Sequence, residues 1–230
     1  MLWPSPIIQG VFLHRRNRFT LEVQVGNEMA LCHLANSGRL GELLVKGRRV
    51  WLHPAEAPER KTAYDLILVE TAEGHRISID ARVPNALFAE AFRDHRLQPF
   101  SGFTALRAEV TVGESRLDFQ LDNDRERCFV EVKSVTLVDR GVARFPDAPT
   151  ERGRKHLNEL MRLKAQGLDA AVVFMVQRSD AHYFSPNDRT DPAFGETLRR
   201  AHAAGVLVLA YGCTVLETGI DLLAPVEVRL

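Results

Sequence analysis

The chain has 230 residues, 45% of them hydrophobic and 26% charged, which is enough for one large globular domain or two small ones. Lys plus Arg number 30 and Asp plus Glu number 30, so the net charge is zero, and a grip on a polyanion requires the basic residues to be gathered on one face. Cys32, Cys128 and Cys213 are scattered, with no CxxC or Cys/His spacing, which argues against a disulfide frame and a zinc site. The first residues lack the basic start and long apolar run of a signal peptide, and no stretch approaches transmembrane length. The expectation is a cytoplasmic protein with no membrane partner.

In chain order, residues 8–13, 19–25, 29–34, 50–53, 66–69 and 77–80 are short runs of β-branched or alternating apolar character. Turn signals separate them at Gly26-Asn27, Lys46-Gly47 and Glu73-Gly74, and Pro54 and Pro58 mark a loop. Residues 40–45 interrupt as a short helix. Five or six short strands in this length predict a small closed barrel over 1–83. Val83-Pro84-Asn85 is the expected junction, with Asn85 capping a helix that runs to His95. Leu87, Phe88, Ala91 and Phe92 form its apolar stripe, and Glu90 lies in its middle.

From there the character is mixed. Residues 105–112 and 116–122 read as a hairpin about Gly113-Glu114, and 128–135 as a third strand. An irregular segment, 138–149, leads to a helix capped by Thr150 and ended by Gly167. The run Ala-Ala-Val-Val-Phe-Met-Val at 170–176 suits a central strand covered on both faces. Asp191-Pro192 opens another helix, Gly205 closes it, and 206–210 is a further buried strand. Helix, three strands, helix, strand, helix, strand is the layout of a restriction-endonuclease-like α/β domain over 84–230. The fold class is α/β, α+β overall, with the barrel preceding it.

The candidate chemistry lies on the third strand. Side chains alternate between faces, so Val130 and Val132 point one way and Glu131 and Lys133 the other. With Asp118 on the preceding strand, two carboxylates and an ammonium can gather about a divalent cation, Mg²⁺ or Mn²⁺. Such ions are held by one or two carboxylates and neutralise charge developing on a phosphodiester. Asp118, Glu131 and Lys133 are therefore the candidate catalytic residues, and Asp118, Glu131 and Glu90 the candidate metal ligands, with Glu109 a rival for the third place. The plain alternative is a solvated ion pair between Glu131 and Lys133 on a half-buried strand.

Candidate phosphate contacts are Arg15, Arg16 and Arg18 between the first two strands, Asn36 and Arg39 in a later loop, and Arg152, Arg154 and Lys155 at a helix start. A helix N-terminus also attracts anions. For these the alternative is a solvated surface. Phe19, Trp51 and Tyr64 are candidates for base stacking, with burial in the barrel core as the competing reading.

Several stretches together resemble the sugar fermentation stimulation protein family. They are Arg18-Phe19, His33-Leu34-Ala35-Asn36-Ser37-Gly38-Arg39, Tyr64-Asp65-Leu66, Pro84-Asn85, Ser115-Arg116-Leu117-Asp118-Phe119, Glu131-Val132-Lys133-Ser134-Val135-Thr136-Leu137 and Phe145-Pro146-Asp147-Ala148-Pro149-Thr150-Glu151-Arg152-Gly153. Ser37 stands where threonine is commoner. The resemblance implies an N-terminal oligonucleotide-binding-like barrel, a C-terminal nuclease-like domain carrying Asp118, Glu131 and Lys133, sequence-independent DNA binding and a regulatory role in maltose metabolism. The expected partner is DNA, with RNA as the alternative, and the expected setting is the nucleoid. Two functions are carried forward: a protein that grips duplex DNA through its phosphates, and a metal-dependent nuclease acting on DNA or RNA.

Overall fold

The computed structural model describes residues 1–56 and 59–230, so Pro58 of the expected loop lies outside the described residues. Alternating apolar residues build six strands in the first part: β1 (Ile8–Arg15), β2 (Thr20–Val25), β3 (Glu28–His33), β4 (Arg49–Pro54), β5 (Tyr64–Glu70) and β6 (Arg76–Ser78). They run in the order β3-β2-β1-β4-β5-β6, and a parallel pairing of β3 with β5 closes the first five into a barrel. Phe12, Leu21, Val23, Leu52 and Leu66 fill it.

The helix expected at 40–45 is a turn. Leu40 has φ +50°, which a right-handed helix cannot contain, and a lone pair of bonds from the amides of Leu43 and Leu44 to its carbonyl closes the turn. The Leu-x-x-Leu spacing mimics a helix because Leu40 and Leu43 both drop into the barrel core.

The second part comprises α1 (Val83–Arg93), β7 (Ala105–Val112), β8 (Ser115–Asp122), β9 (Arg127–Val135), β10 (Val138–Asp139), β11 (Val142–Phe145), α2 (Glu151–Ala165), β12 (Asp169–Val176), β13 (Tyr183–Pro186), α3 (Pro192–Ala203), β14 (Leu207–Val215), β15 (Ile220–Pro225) and β16 (Glu227–Val228). The main sheet has the order β15-β14-β12-β9-β8-β7, with β9, β12 and β14 parallel. β12, apolar from Ala170 onward, is at its centre, packed between α1 on one face and α2 and α3 on the other. The segment expected to be irregular instead contributes β10 and β11 to a small second sheet, β10-β11-β13-β16. Thr150 caps α2 by accepting from the Gly153 amide, and Asp191 caps α3.

The parts are joined by packing as well as by chain. Trp51, Ile67 and Leu68 of the barrel lie in the same apolar cluster as α1 and the main sheet. Met1 to Trp3 sit on the second part: Leu2 bridges Gly219, and the Trp3 indole donates to the Leu216 carbonyl.

Candidate metal and nucleic-acid site

A cleft of about 620 Å³ opens where the barrel meets the second part. Asp118, Glu131 and Lys133 all line it, with Arg18 and residues 36–38 on the barrel side and Arg144, Asp147 and Arg152 opposite. Two strands position the acids. The β8–β9 ladder stops at Phe119 opposite Val130, so β8 parts from β9 at Asp118. There the Val132 amide donates to Asp118 Oδ2 at 2.8 Å, a side chain taking the place of a strand carbonyl. Glu131 and Lys133 share the face turned toward α2, as the alternation of β9 requires, while Val130 and Val132 enter the core under α1.

Each carboxylate has a distinct environment. Asp118 Oδ1 accepts from the Asn85 amide at 2.8 Å. Burial, and then the charge of Glu131, raise the Asp118 pKa despite those two hydrogen bonds. Burial also pushes Glu131 upward, but the Lys133 ammonium and the His156 imidazole outweigh it and hold this carboxyl below its usual range. Lys133 Nζ lies 2.5 Å from Glu131 Oε1, and His156 Nδ1 bonds the same oxygen. Glu131 Oε2, buried, has no hydrogen-bond partner among the described residues. An orphaned carboxylate oxygen beside a second, half-buried carboxylate is a donor set that a hard cation satisfies. Among the described residues no group of three or more His, Cys, Asp or Glu converges, so the protein offers two carboxylates, which suits an ion that keeps much of its own water.

Several expected contacts lie elsewhere. Glu90 is not a ligand: it pairs with the Met1 ammonium at 2.7 Å, because it sits roughly 140° around α1 from Asn85, away from the cleft. Glu109 bulges from the edge strand β7 at φ +54° and faces Arg116 in solvent. Arg15 braces a loop, donating to the Gly38 and Arg39 carbonyls at 3.0 and 2.6 Å. Arg16 is paired with Glu22 and Arg154 with the buried Asp191, while Lys155 reaches Glu114 on the outside. The exposed Arg39 meets the second part through its backbone, its amide donating to Asp147 Oδ2 at 2.9 Å. Asn36 lines the cleft but is spent on the Ile79 carbonyl and the Gly38 amide. Of the candidate cations, Arg18 and Arg152 line the cleft, joined by Arg144, with Arg18 Nε also donating to the Ser37 carbonyl at 3.3 Å. Trp51 is in the core and Tyr64 is half-buried, whereas Phe19 is 44% exposed.

Two residues of the site carry no metal-site signal in the sequence. Asn85 is not the cap of α1, which begins at Val83 with Arg82 at the cap, so its amide is free to reach Asp118. Phe88, one turn on, stacks on Phe119 with centroids 4.9 Å apart and holds α1 over the Asp118 strand. His156 reads as one more basic residue of the α2 start, yet it is buried on the face of Gly153, Leu157 and Leu160. Its other nitrogen receives the Arg152 Nε–H at 3.4 Å, an i to i+4 contact.

The comparisons agree with this architecture. Residues 13–79 match the model described as SfsA N-terminal OB domain, and residues 82–219 match that of the sugar fermentation stimulation protein RE domain. The chain belongs to the sugar fermentation stimulation protein family. It is 47% identical to the sugar fermentation stimulation protein homolog of Caldanaerobacter subterraneus subsp. tengcongensis over 231 residues, covering 100% of both chains. It is 49% identical to that of Moorella thermoacetica over 229 residues, covering 99% of this chain and 98% of the relative. The solved structure of Pyrococcus furiosus SfsA in complex with Ca²⁺ superposes with a TM-score of 0.92 at 32% identity, covering 99% of this chain and 97% of that one.

Proposed function

We propose that this family member binds nucleic acid through its phosphates at the cleft between barrel and α/β domain, and that Asp118 and Glu131 hold a divalent cation there for phosphodiester hydrolysis. The observation that carries the reading is the meeting of Asp118, Glu131 and Lys133 in a cleft that also presents Arg18, Arg144 and Arg152. Binding through phosphates is independent of sequence and weakens steeply with salt. A Mg²⁺ or Mn²⁺ ion at the two carboxylates would supply charge neutralisation and an acidified water. The Ca²⁺ in the Pyrococcus furiosus relative is a hard, oxygen-seeking ion of the same kind.

The chain's own groups divide the remaining work. Val132 and Asn85 fix both oxygens of Asp118, and His156 fixes Glu131 through Oε1. Lys133 stands beside Glu131 where it can bond an anionic phosphate oxygen. Arg18, Arg144 and Arg152 take neighbouring phosphates.

One observation favours binding without cleavage, as a DNA-binding factor linked to maltose metabolism would need. Glu131 Oε1 already receives both Lys133 and His156, so the carboxylate is neutralised before any ion arrives. Labelled DNA and RNA incubated with Mg²⁺, Mn²⁺ or EDTA decide between them. Hydrolysis by the wild type, lost in Asp118→Ala, Glu131→Ala and Lys133→Ala, supports the nuclease. Retained binding with intact substrate in every lane leaves the binding factor. Hydrolysis that survives all three substitutions does not come from this site.

A further inference from the structure

The barrel leaves the Phe19 ring partly in solvent, next to Arg18, which lines the cleft. Phe12 and Trp51 are buried, while Phe19 is 44% exposed and belongs to none of the apolar clusters. Its backbone is fixed on both sides: the amide donates to Asn17 Oδ1 at 3.0 Å and the carbonyl accepts from the Leu34 amide at 2.9 Å. The Arg18 guanidinium lies over the ring, 5.7 Å from its centroid, and Arg18 lines the cleft. Ring and guanidinium together offer an apolar face and a cation next to a phosphate-binding opening. That pairing is a platform for a base whose own phosphate enters beside it.

The cleft limits what can follow. Its volume of about 620 Å³ falls within the range of pockets that enclose one small organic molecule, the scale of one or two nucleotides. Its barrel-side wall is pinned from both domains. Arg15 holds the Gly38 and Arg39 carbonyls, and the Arg39 amide is bonded to Asp147 across the junction. Gly38 is packed so closely that a Cβ there would lie 2.7 Å from Asp147 Oδ2. The paired bases of a duplex have no free face for Phe19, whereas those of a single strand do.

We propose that the cleft takes a single unpaired polynucleotide strand, with Phe19 stacking a base while Arg18, Arg144 and Arg152 carry its phosphates inward. The proposal rests on the nucleic-acid reading above and names its substrate class. It is tested with fluorescent oligothymidylate, oligouridylate and a blunt duplex of the same length, titrated with the full chain in EDTA to silence hydrolysis. The wild type is expected to bind one or both single strands more tightly than the duplex. Phe19→Ala should weaken the preferred single strand about 5- to 100-fold, the range for one stacked base, while leaving duplex affinity unchanged. Phe19→Trp should retain or exceed wild-type affinity, and a 2-aminopurine placed along the strand should lose its quenching in Phe19→Ala alone of these proteins. Because Phe19 is outside the core, both variants should melt with the wild type. Duplex preference, or an equal effect of Phe19→Ala on every polymer, overturns the single-strand assignment and leaves phosphate binding standing if Arg152→Ala still weakens it. No binding of any polymer by the wild type removes the nucleic-acid reading and this proposal together.

Discussion

Asp118 imposes a cost on the protein that a cation would relieve, and this separates a metal site from a structural ion pair. Its half-buried carboxyl lies beside Glu131, and its pKa is raised by loss of hydration first and by the Glu131 charge second. A carboxyl whose folded pKa exceeds its unfolded value of about 3.9 stabilises the fold fully below that value and loses the contribution as pH rises through the folded pKa. At neutral pH and without metal, ionised Asp118 is therefore unfavourable to folding. Asp118→Asn removes the charge and keeps the hydrogen bonds, because the new amide oxygen can accept from Val132 while the Asn85 amide rotates to accept from the new NH₂ group. In EDTA the variant should melt above the wild type, with the gap closing as the pH is lowered toward 4. Adding Mn²⁺ to about a hundredfold over its Kd should stabilise the wild type by about 2.7 kcal/mol, or about 5–10 °C for a chain of this size. The variant should not respond. Differential scanning fluorimetry in EDTA and Mn²⁺ between pH 4 and 8 reads both effects. A variant that melts lower than wild type in EDTA, or an equal Mn²⁺ shift in both proteins, would show that Asp118 is a structural acid and that the reasoning fails.

Salt titration of oligonucleotide binding should lose about one phosphate contact, or about 0.9 log unit of slope, in each of Arg18→Ala, Arg144→Ala and Arg152→Ala, whereas Arg16→Ala, already paired with Glu22, should leave the slope unchanged. Arg154→Ala should act on stability instead, by about 2 kcal/mol in urea denaturation, because it removes the cation from the buried Asp191 and leaves that charge to the Thr150 and Phe194 amides. Phe88→Ala should cost about 3–5 kcal/mol by the same measurement, since the ring is fully buried between Phe100 and Phe119. Arg60, through its hydrogen bonds foremost, holds Asp65 below the usual carboxylate range, so this pair's contribution is present at neutral pH and lost as pH falls below about 4; the melting difference between wild type and Arg60→Ala should shrink on acidification.

The strands of the main sheet were legible because their side chains are sorted by face: β12 is apolar from Ala170 to Val176, and β9 alternates, so Glu131 and Lys133 had to share one side. Local spacing carried that much. What it could not carry was partnership between distant segments. The small sheet escaped because β11 and β13 are four residues each and pair across some forty positions, Val142 opposite Tyr183. Asn85 read as a cap because a capping amide and a carboxylate-binding amide are chemically the same, and only Asp118, 33 positions away, distinguishes them. The arginines divided for the same reason: Glu22, Asp191 and the Gly38 carbonyl decide which are occupied, and none is adjacent in sequence to the group it holds. Leu40 misled differently, since a plug for a barrel and a turn of amphipathic helix ask for the same residues at the same interval.

The cleft's shape depends on the barrel and the α/β domain acting as one body. Trp51, Ile67 and Leu68 leave the barrel to join the core beneath α1, so separating the domains would expose an indole and two aliphatic side chains on one side and their packing partners on the other. Polar contacts cross the junction at several points: Arg76 pairs with Glu217 at 2.7 Å, the Ser78 amide donates to the Gln177 carbonyl at 3.2 Å, and Asp147 takes the Arg39 amide beside the tightly packed Gly38. Apolar packing joins the parts, and the bond to Asp147 lies at the cleft. Asp118 and Glu131 come from one part and Arg18 from the other, so these groups line one opening only in the intact chain. A barrel expressed alone would lack the acids, and an α/β domain expressed alone would lack the barrel-side wall of the cleft.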